Sequence, residues 1–251
     1  MKSPLYLSLL AGIFASVACS SPAKQVLDGD NHSADGRILD AAPTDSVPTD
    51  GRACPVAPAA RTLTSVASFG ANPGNLTLQI YVPATHGAHP PLVLALHGCS
   101  QTAAAYAKTG WNRLADYNGF IVAYPQTIAN NGCFNWFAAS EQTRAGNEVT
   151  SMINMVHALQ QSHGVDASRV YVTGLSAGGA STAVLLATYP DVFAAGTAIA
   201  GVPFRCAVSV TEGLNCMSSP PNKSAAQWGD LVRAAAGNNL TRVPRLSIWH
   251  G

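Results

Sequence analysis

Residues 169–190, RVYVTGLSAGGASTAVLLATYP, constrain the fold more than any other stretch of the chain. Val170, Tyr171, Val172 and Thr173 form a short β-branched and aromatic run of the kind that makes a buried strand. Gly174-Leu175-Ser176-Ala177-Gly178 follows at once and fits the G-x-S-x-G pattern of a sharp strand-to-helix turn. Residues 180–189 then read as a helix of small and apolar residues, stopped by Pro190. Such a turn forces a strained backbone at its central serine, and a side chain at 174 or 178 would strike the adjoining strand or helix. The hydroxyl of Ser176 is thereby lifted clear of the sheet as a candidate nucleophile. The N–H of Ala177, opening the helix, points toward a developing oxyanion.

The rest of the chain supplies a setting for this turn. Residues 76–82 alternate as a strand, 91–97 form a continuous apolar strand, and 120–124 form another, which Pro125 is expected to end. Residues 109–118, 148–162 and 224–236 carry helical spacing, and 193–200 and 245–249 read as further strands. Short apolar strands alternating with helices imply a mostly parallel sheet covered on both faces. In such a sheet the loops at the C-terminal strand ends face the active site. His97-Gly98-Cys99-Ser100-Gln101 occupies one of them. Gly98 allows close backbone approach, the Cys99 N–H is the expected second oxyanion donor, and His97 is expected to hold the loop rather than act as a base. Trp136, in Asn135-Trp136-Phe137, is either an aromatic wall for substrate or a plain core residue.

At 251 residues the chain has room for one catalytic domain and a leader. Met1-Lys2 and the apolar residues 5–17 resemble a signal peptide (residues 1–18), too short to span a bilayer comfortably. Ala15-Ser16-Val17-Ala18-Cys19 resembles a bacterial lipobox, so lipidation of Cys19 and a membrane anchor are expected, with cleavage after Ala18 as the alternative. Residues 19–60 lack aromatic density and any sustained period, and read as a flexible tether to a domain at 61–251. Six cysteines suit an exported chain. Cys206 and Cys216 bracket a short loop, Cys99 and Cys133 follow two strands on the same sheet edge, and each pair is expected to form a disulfide. That leaves Cys54 without an assigned partner and makes a thiol nucleophile at Cys99 the weakest reading. No Cys/His spacing suits a metal, and no metal or cofactor is expected. A net charge of +1 gives no electrostatic case for nucleic acid, and a monomer is expected.

Further stretches bring a resemblance. Phe69-Gly70-Ala71-Asn72-Pro73-Gly74-Asn75-Leu76, His97 to Gln101, Gly110-Trp111-Asn112, Leu114-Ala115-Asp116, Gly132-Cys133-Phe134-Asn135-Trp136-Phe137, Gly174 to Gly179 and Trp249-His250-Gly251 run from about residue 65 to the end. In that order they resemble the polyhydroxybutyrate depolymerase-type esterases, relatives of feruloyl and acetylxylan esterases. The resemblance implies an α/β-hydrolase fold, Ser176 as nucleophile, the Cys99 and Ala177 amides as oxyanion hole, and hydrolysis of a polyester through an acyl-enzyme. Feruloyl or acetylxylan esterase activity is the alternative, and a catalytically dead, surface-anchored binding protein the rival from another class. In this family the triad acid lies a few residues past Trp-His-Gly and the histidine on a later loop. After Ser176 the sequence has His250 and the acids Asp191, Glu212 and Asp230, none at the family's spacing. The expectation is a domain lacking its last strand or strands and its triad acid and histidine, with only weak catalysis.

Overall fold

The computed structural model describes residues 62–250. The expected signal peptide, Cys19, the tether and Cys54 lie outside these residues. Among these residues seven strands form one sheet: β1 (Thr64–Val66), β2 (Thr77–Tyr81), β3 (Leu92–Leu96), β4 (Ile121–Gln126), β5 (Val170–Leu175), β6 (Ala195–Ile199) and β7 (Arg245–Trp249). Their spatial order is β1-β2-β4-β3-β5-β6-β7. The run β4-β3-β5-β6-β7 is parallel throughout, while β2 pairs antiparallel with β4 and β1 antiparallel with β2. This is the α/β-hydrolase architecture.

Among the described residues six α-helices accompany the sheet: α1 (Ala103–Tyr106), α2 (Trp111–Asn118), α3 (Asn147–His163), α4 (Ala177–Thr188), α5 (Val210–Ser218) and α6 (Ala225–Ala236). Alternation along the strands sorts the core into two layers. Val122 and Tyr124 of β4 pack with Ala95, Tyr106 and Ala115 on the α1/α2 face. Ile121 and Ala123, with Leu92, Leu94, Val170 and Val172, pack on the other face beneath Met152 and Val156 of α3 and Val184 and Leu185 of α4. A side chain such as Phe134 or Leu94, with no exposed surface, contributes about 1.5–3 kcal/mol of burial.

Some expected boundaries shift. Strand β4 continues through Pro125, which pairs with Leu78 of β2. The ladder to β3 has already ended at Ala123, so the missing N–H is tolerated there. Helix α4 begins at Ala177 rather than Ala180, because the turn delivers Ser176 straight into its N-cap position. The stretch between Cys206 and Cys216 is not a plain loop: α5 starts within it, capped by the Ser209 hydroxyl accepting from the Glu212 N–H. Strand β7 pairs on its inner side with β6, and no described residue pairs with its outer side.

Candidate active site

Three loops meet where β3, β5 and β6 end. At the end of β5 the backbone turns through Ser176 at φ 56° and ψ −116°. A non-glycine residue held there stores about 1–3 kcal/mol of strain. Its neighbours explain how it is held. A methyl on Gly174 would collide with the Gly178 backbone, and one on Gly178 with the carbonyl of Leu96. The two glycines therefore let α4 close onto β5 and β3 at once. The Ser176 N–H donates to the Ile199 carbonyl at 2.9 Å, tying the turn to the end of β6. The Ser176 side chain stands exposed.

The loop after β3 lies against this turn. A methyl on Gly98 would sit 3.5 Å from Ser176 Cβ and 3.3 Å from the Leu175 carbonyl oxygen. The loop's shape is set by Gln101, whose Oε1 accepts from the Gly98 N–H at 2.8 Å while its own N–H donates back to the Gly98 carbonyl at 3.2 Å. Ser100 takes a positive φ of 63°, turning the chain sharply after Cys99. Among the described residues, no acceptor takes the N–H of Cys99 or of Ala177.

His97 is fully buried, and its Nδ1 bonds the Gly98 carbonyl at 2.8 Å, so Nδ1 carries the proton. Burial drives its pKa below the usual histidine value, outweighing the Gly98 hydrogen bond, and its Nε2 has no hydrogen-bond partner among the described residues. The ring packs 4.6 Å from that of Phe134. It makes no hydrogen bond to Ser176, whose hydroxyl has no hydrogen-bond partner among the described residues. The remaining sequence candidates for an acid are engaged elsewhere. Asp191 pairs with Arg144 at 2.7 Å, Asp230 pairs with Arg233 on α6, and Glu212 Oε2 accepts from the Val208 N–H at 2.7 Å.

The arrangement offers a strained, exposed serine against which the Gly98 loop packs, at the carboxyl ends of parallel strands. Residues 76–238 match the family described as esterase PHB depolymerase. The chain belongs to this family. It is 49% identical over 192 residues to poly(3-hydroxyalkanoate) depolymerase C of Paucimonas lemoignei, covering 75% of this chain and 46% of that protein. It is 36% identical over 200 residues to feruloyl esterase B of Talaromyces stipitatus, covering 76% and 56%. Among solved structures, an acetyl xylan esterase from Aspergillus awamori superposes with a TM-score of 0.71 at 33% identity, covering 76% of this chain and 72% of that one. The chain thus spans about half the length of the first two relatives.

Two sequence expectations bear on how the family's loops are held here. The disulfides Cys99–Cys133 and Cys206–Cys216 are both formed, which removes the Cys99 thiol as a nucleophile. Trp136 is buried in one apolar cluster with Val149, Met152 and Leu185 and lies edge-on to Phe137. A methyl on Gly213 of α5 would lie 3.2 Å from its ring, so α5 covers it.

Sequence reading missed Gln101, Gln142 and Glu148. Gln142 is buried and its Nε2 donates to the carbonyls of Trp136 and Ala207, joining two loops. Glu148, also buried, accepts from the Asn135 N–H and Nδ2 at 2.8 and 2.9 Å. The available sign of Glu148 was a carboxylate directly before the apolar face of Val149, Met152 and Ile153.

Proposed function

We propose that this chain is the catalytic-domain portion of an exported serine esterase acting on hydroxyalkanoate polyesters or their oligomers. The observation that carries the reading is Ser176, strained and exposed at the head of α4 with Gly98 packed against it. Ser176 Oγ attacks the ester carbonyl carbon, and the carbonyl oxygen takes the negative charge between the N–H groups of Cys99 and Ala177. Collapse of this intermediate breaks the ester C–O bond, releasing the alcohol end with a proton and leaving an acyl group on Ser176. Water then attacks the acyl-enzyme and the hydroxy acid departs. No cofactor enters these steps.

The polyester assignment rests on the 49% identity to the poly(3-hydroxyalkanoate) depolymerase, against 36% to feruloyl esterase B. The superposition on an acetyl xylan esterase favours a second reading, an acyl group carried on polysaccharide. Release of 3-hydroxybutyrate from polymer, rather than acetate or ferulate from acylated xylan, decides between them. Export is part of the proposal and rests on the leader-like residues 1–18 and the two disulfides. The general base is proposed to be a histidine beyond residue 251, the chain spanning 46% of the depolymerase it matches. Without it, an oxyanion hole and binding alone supply roughly 10³-fold over water.

The test is hydrolysis of p-nitrophenyl butyrate by the 251-residue chain and by Ser176→Ala. Slow release well above the Ser176→Ala background is expected. Equal rates overturn the nucleophile. Fast turnover, many orders above the uncatalysed rate, overturns the proposal that the base lies elsewhere.

A further inference from the structure

Behind the Gly98–Cys99 loop runs a second segment, residues 133–136, and each of its first three residues grips something different. Cys133 is bonded through sulfur to Cys99, with Cα atoms 4.1 Å apart. Phe134 has no exposed surface and stacks on His97, the residue that starts the loop. Asn135 is held by both its backbone N–H and its side-chain amide to the two carboxylate oxygens of Glu148, in the first turn of α3. Asn130 bonds Asn135 Oδ1 from the other side. Glu148 cannot drift. Its own N–H donates to Glu141 Oε2 at 2.8 Å, and Gly74 presses so closely that a methyl there would meet Glu148 Cα at 2.6 Å.

We propose that Glu148 is a positioning residue for the oxyanion loop: its carboxylate fixes Asn135, and Asn135 fixes the direction of the Cys99 N–H through the Cys133–Cys99 disulfide and the Phe134–His97 contact. The proposal rests on the reading of Cys99 as an oxyanion donor. Two hydrogen bonds to one side chain, backbone and amide together, set both the place and the rotation of Asn135. A disulfide then transmits that placement through a few covalent bonds. A carboxylate is suited to this because both oxygens accept. On protonation, one oxygen becomes a donor and faces an N–H, so one of the two bonds must loosen.

The charged group facing Glu148 is Glu141, from the turn at Ala139–Glu141. Asn135 and Thr127 present hydrogen-bond donors, and α4 presents Ser181 with the apolar Val184 and Leu185. Burial, with Glu141 adding to it, raises the Glu148 carboxyl to about 7 despite the bonds from Asn135. The grip therefore tightens as pH rises through neutrality. His97, beyond Phe134, titrates below its usual value, so its effect on the loop falls at lower pH.

The test follows amide resonances of the ¹⁵N-labelled chain between pH 5.5 and 8.5. The Asn135 and Cys99 amides are expected to shift together with one midpoint near 7, and both shifts to vanish in Glu148→Gln. Because Glu148→Gln removes a buried acceptor, Glu141→Gln provides a second arm, in which loss of the neighbouring negative charge moves both midpoints down together. Titration of Asn135 with an unmoved Cys99 amide overturns the proposal and leaves Glu148 a purely structural residue. On p-nitrophenyl butyrate, Glu148→Gln is expected to lower kcat several-fold with KM little changed, and a change confined to KM overturns it. Coupled shifts without ester cleavage would remove the ester reading while leaving the coupling intact, whereas cleavage without coupled shifts would remove only this proposal.

Discussion

The serine turn is built from absent atoms as much as present ones. Gly178 has no room for a Cβ because the Leu96 carbonyl occupies it, and that carbonyl belongs to a central strand that cannot retreat. Gly178→Ala is therefore expected to destabilise the fold by at least about 1–3 kcal/mol, the usual range for overpacking, and to abolish the proposed Ser176-dependent ester cleavage. Gly87→Ala, at an exposed site with nothing within 4 Å, is the control and should stay within about 0.5 kcal/mol of the parent. Urea midpoints of the three proteins check both statements, and an unperturbed Gly178→Ala would mean that the turn is not held by this contact. At this scale Gly174, Ser176 and Gly178 were legible, since their spacing is itself the steric requirement. Gln101 was not, because its bond to the Gly98 N–H exists only once the loop has its shape.

Helix α3 shows how an element can carry a pH dependence that its sequence conceals. Glu148 lies within the helix's first turn, where a carboxylate is ordinarily favoured by the helix dipole. Here desolvation dominates and raises its carboxyl to about 7. The folded state thus holds this proton more tightly than the unfolded chain does. The resulting stabilisation is complete below the unfolded value near 4.5 and is lost as pH rises through about 7. Between pH 5 and 8 the parent should lose roughly 1–3 kcal/mol of stability relative to Glu148→Gln, since a tenfold difference in proton affinity between folded and unfolded chains is worth about 1.4 kcal/mol. Parallel denaturant curves for the two proteins at both pH values measure the difference, and identical pH slopes would refute it. The helix itself was visible from its apolar spacing, but the burial of Glu148 depends on the distant Gly74 and Asn135. Helix α5 is the opposite case. Its Ser209-x-x-Glu212 start is a capping pattern present in the sequence, overlooked because only a few residues separate the cysteines.

The alternation of strands and helices made the parallel sheet legible as a whole, because buried parallel strands must be apolar on both faces. Strand β1 was not: it is three residues long, largely exposed, and joins through backbone pairing to β2 that leaves no periodic signature. The other edge raises a different issue. All five residues of β7 are exposed, with Leu246 and Ile248 on one face at 51% and 67%, and Trp249 on the other at 66%. Its inner side is paired with β6 and no described residue pairs with its outer side, whose N–H and C=O groups can template another strand. An apolar edge with no pairing strand among the described residues favours strand addition between copies. The 251-residue chain is therefore expected to associate as its concentration rises. Ile248→Lys places a charge on the exposed face of the edge, where any added strand would have to bury it. Sedimentation velocity over a hundredfold concentration range should show the parent's average mass climbing and that of Ile248→Lys staying near one chain. A parent that remains at the 25.9 kDa of a single chain throughout would show that the edge is protected in solution. Equal association by the two proteins would place the contact on some other surface.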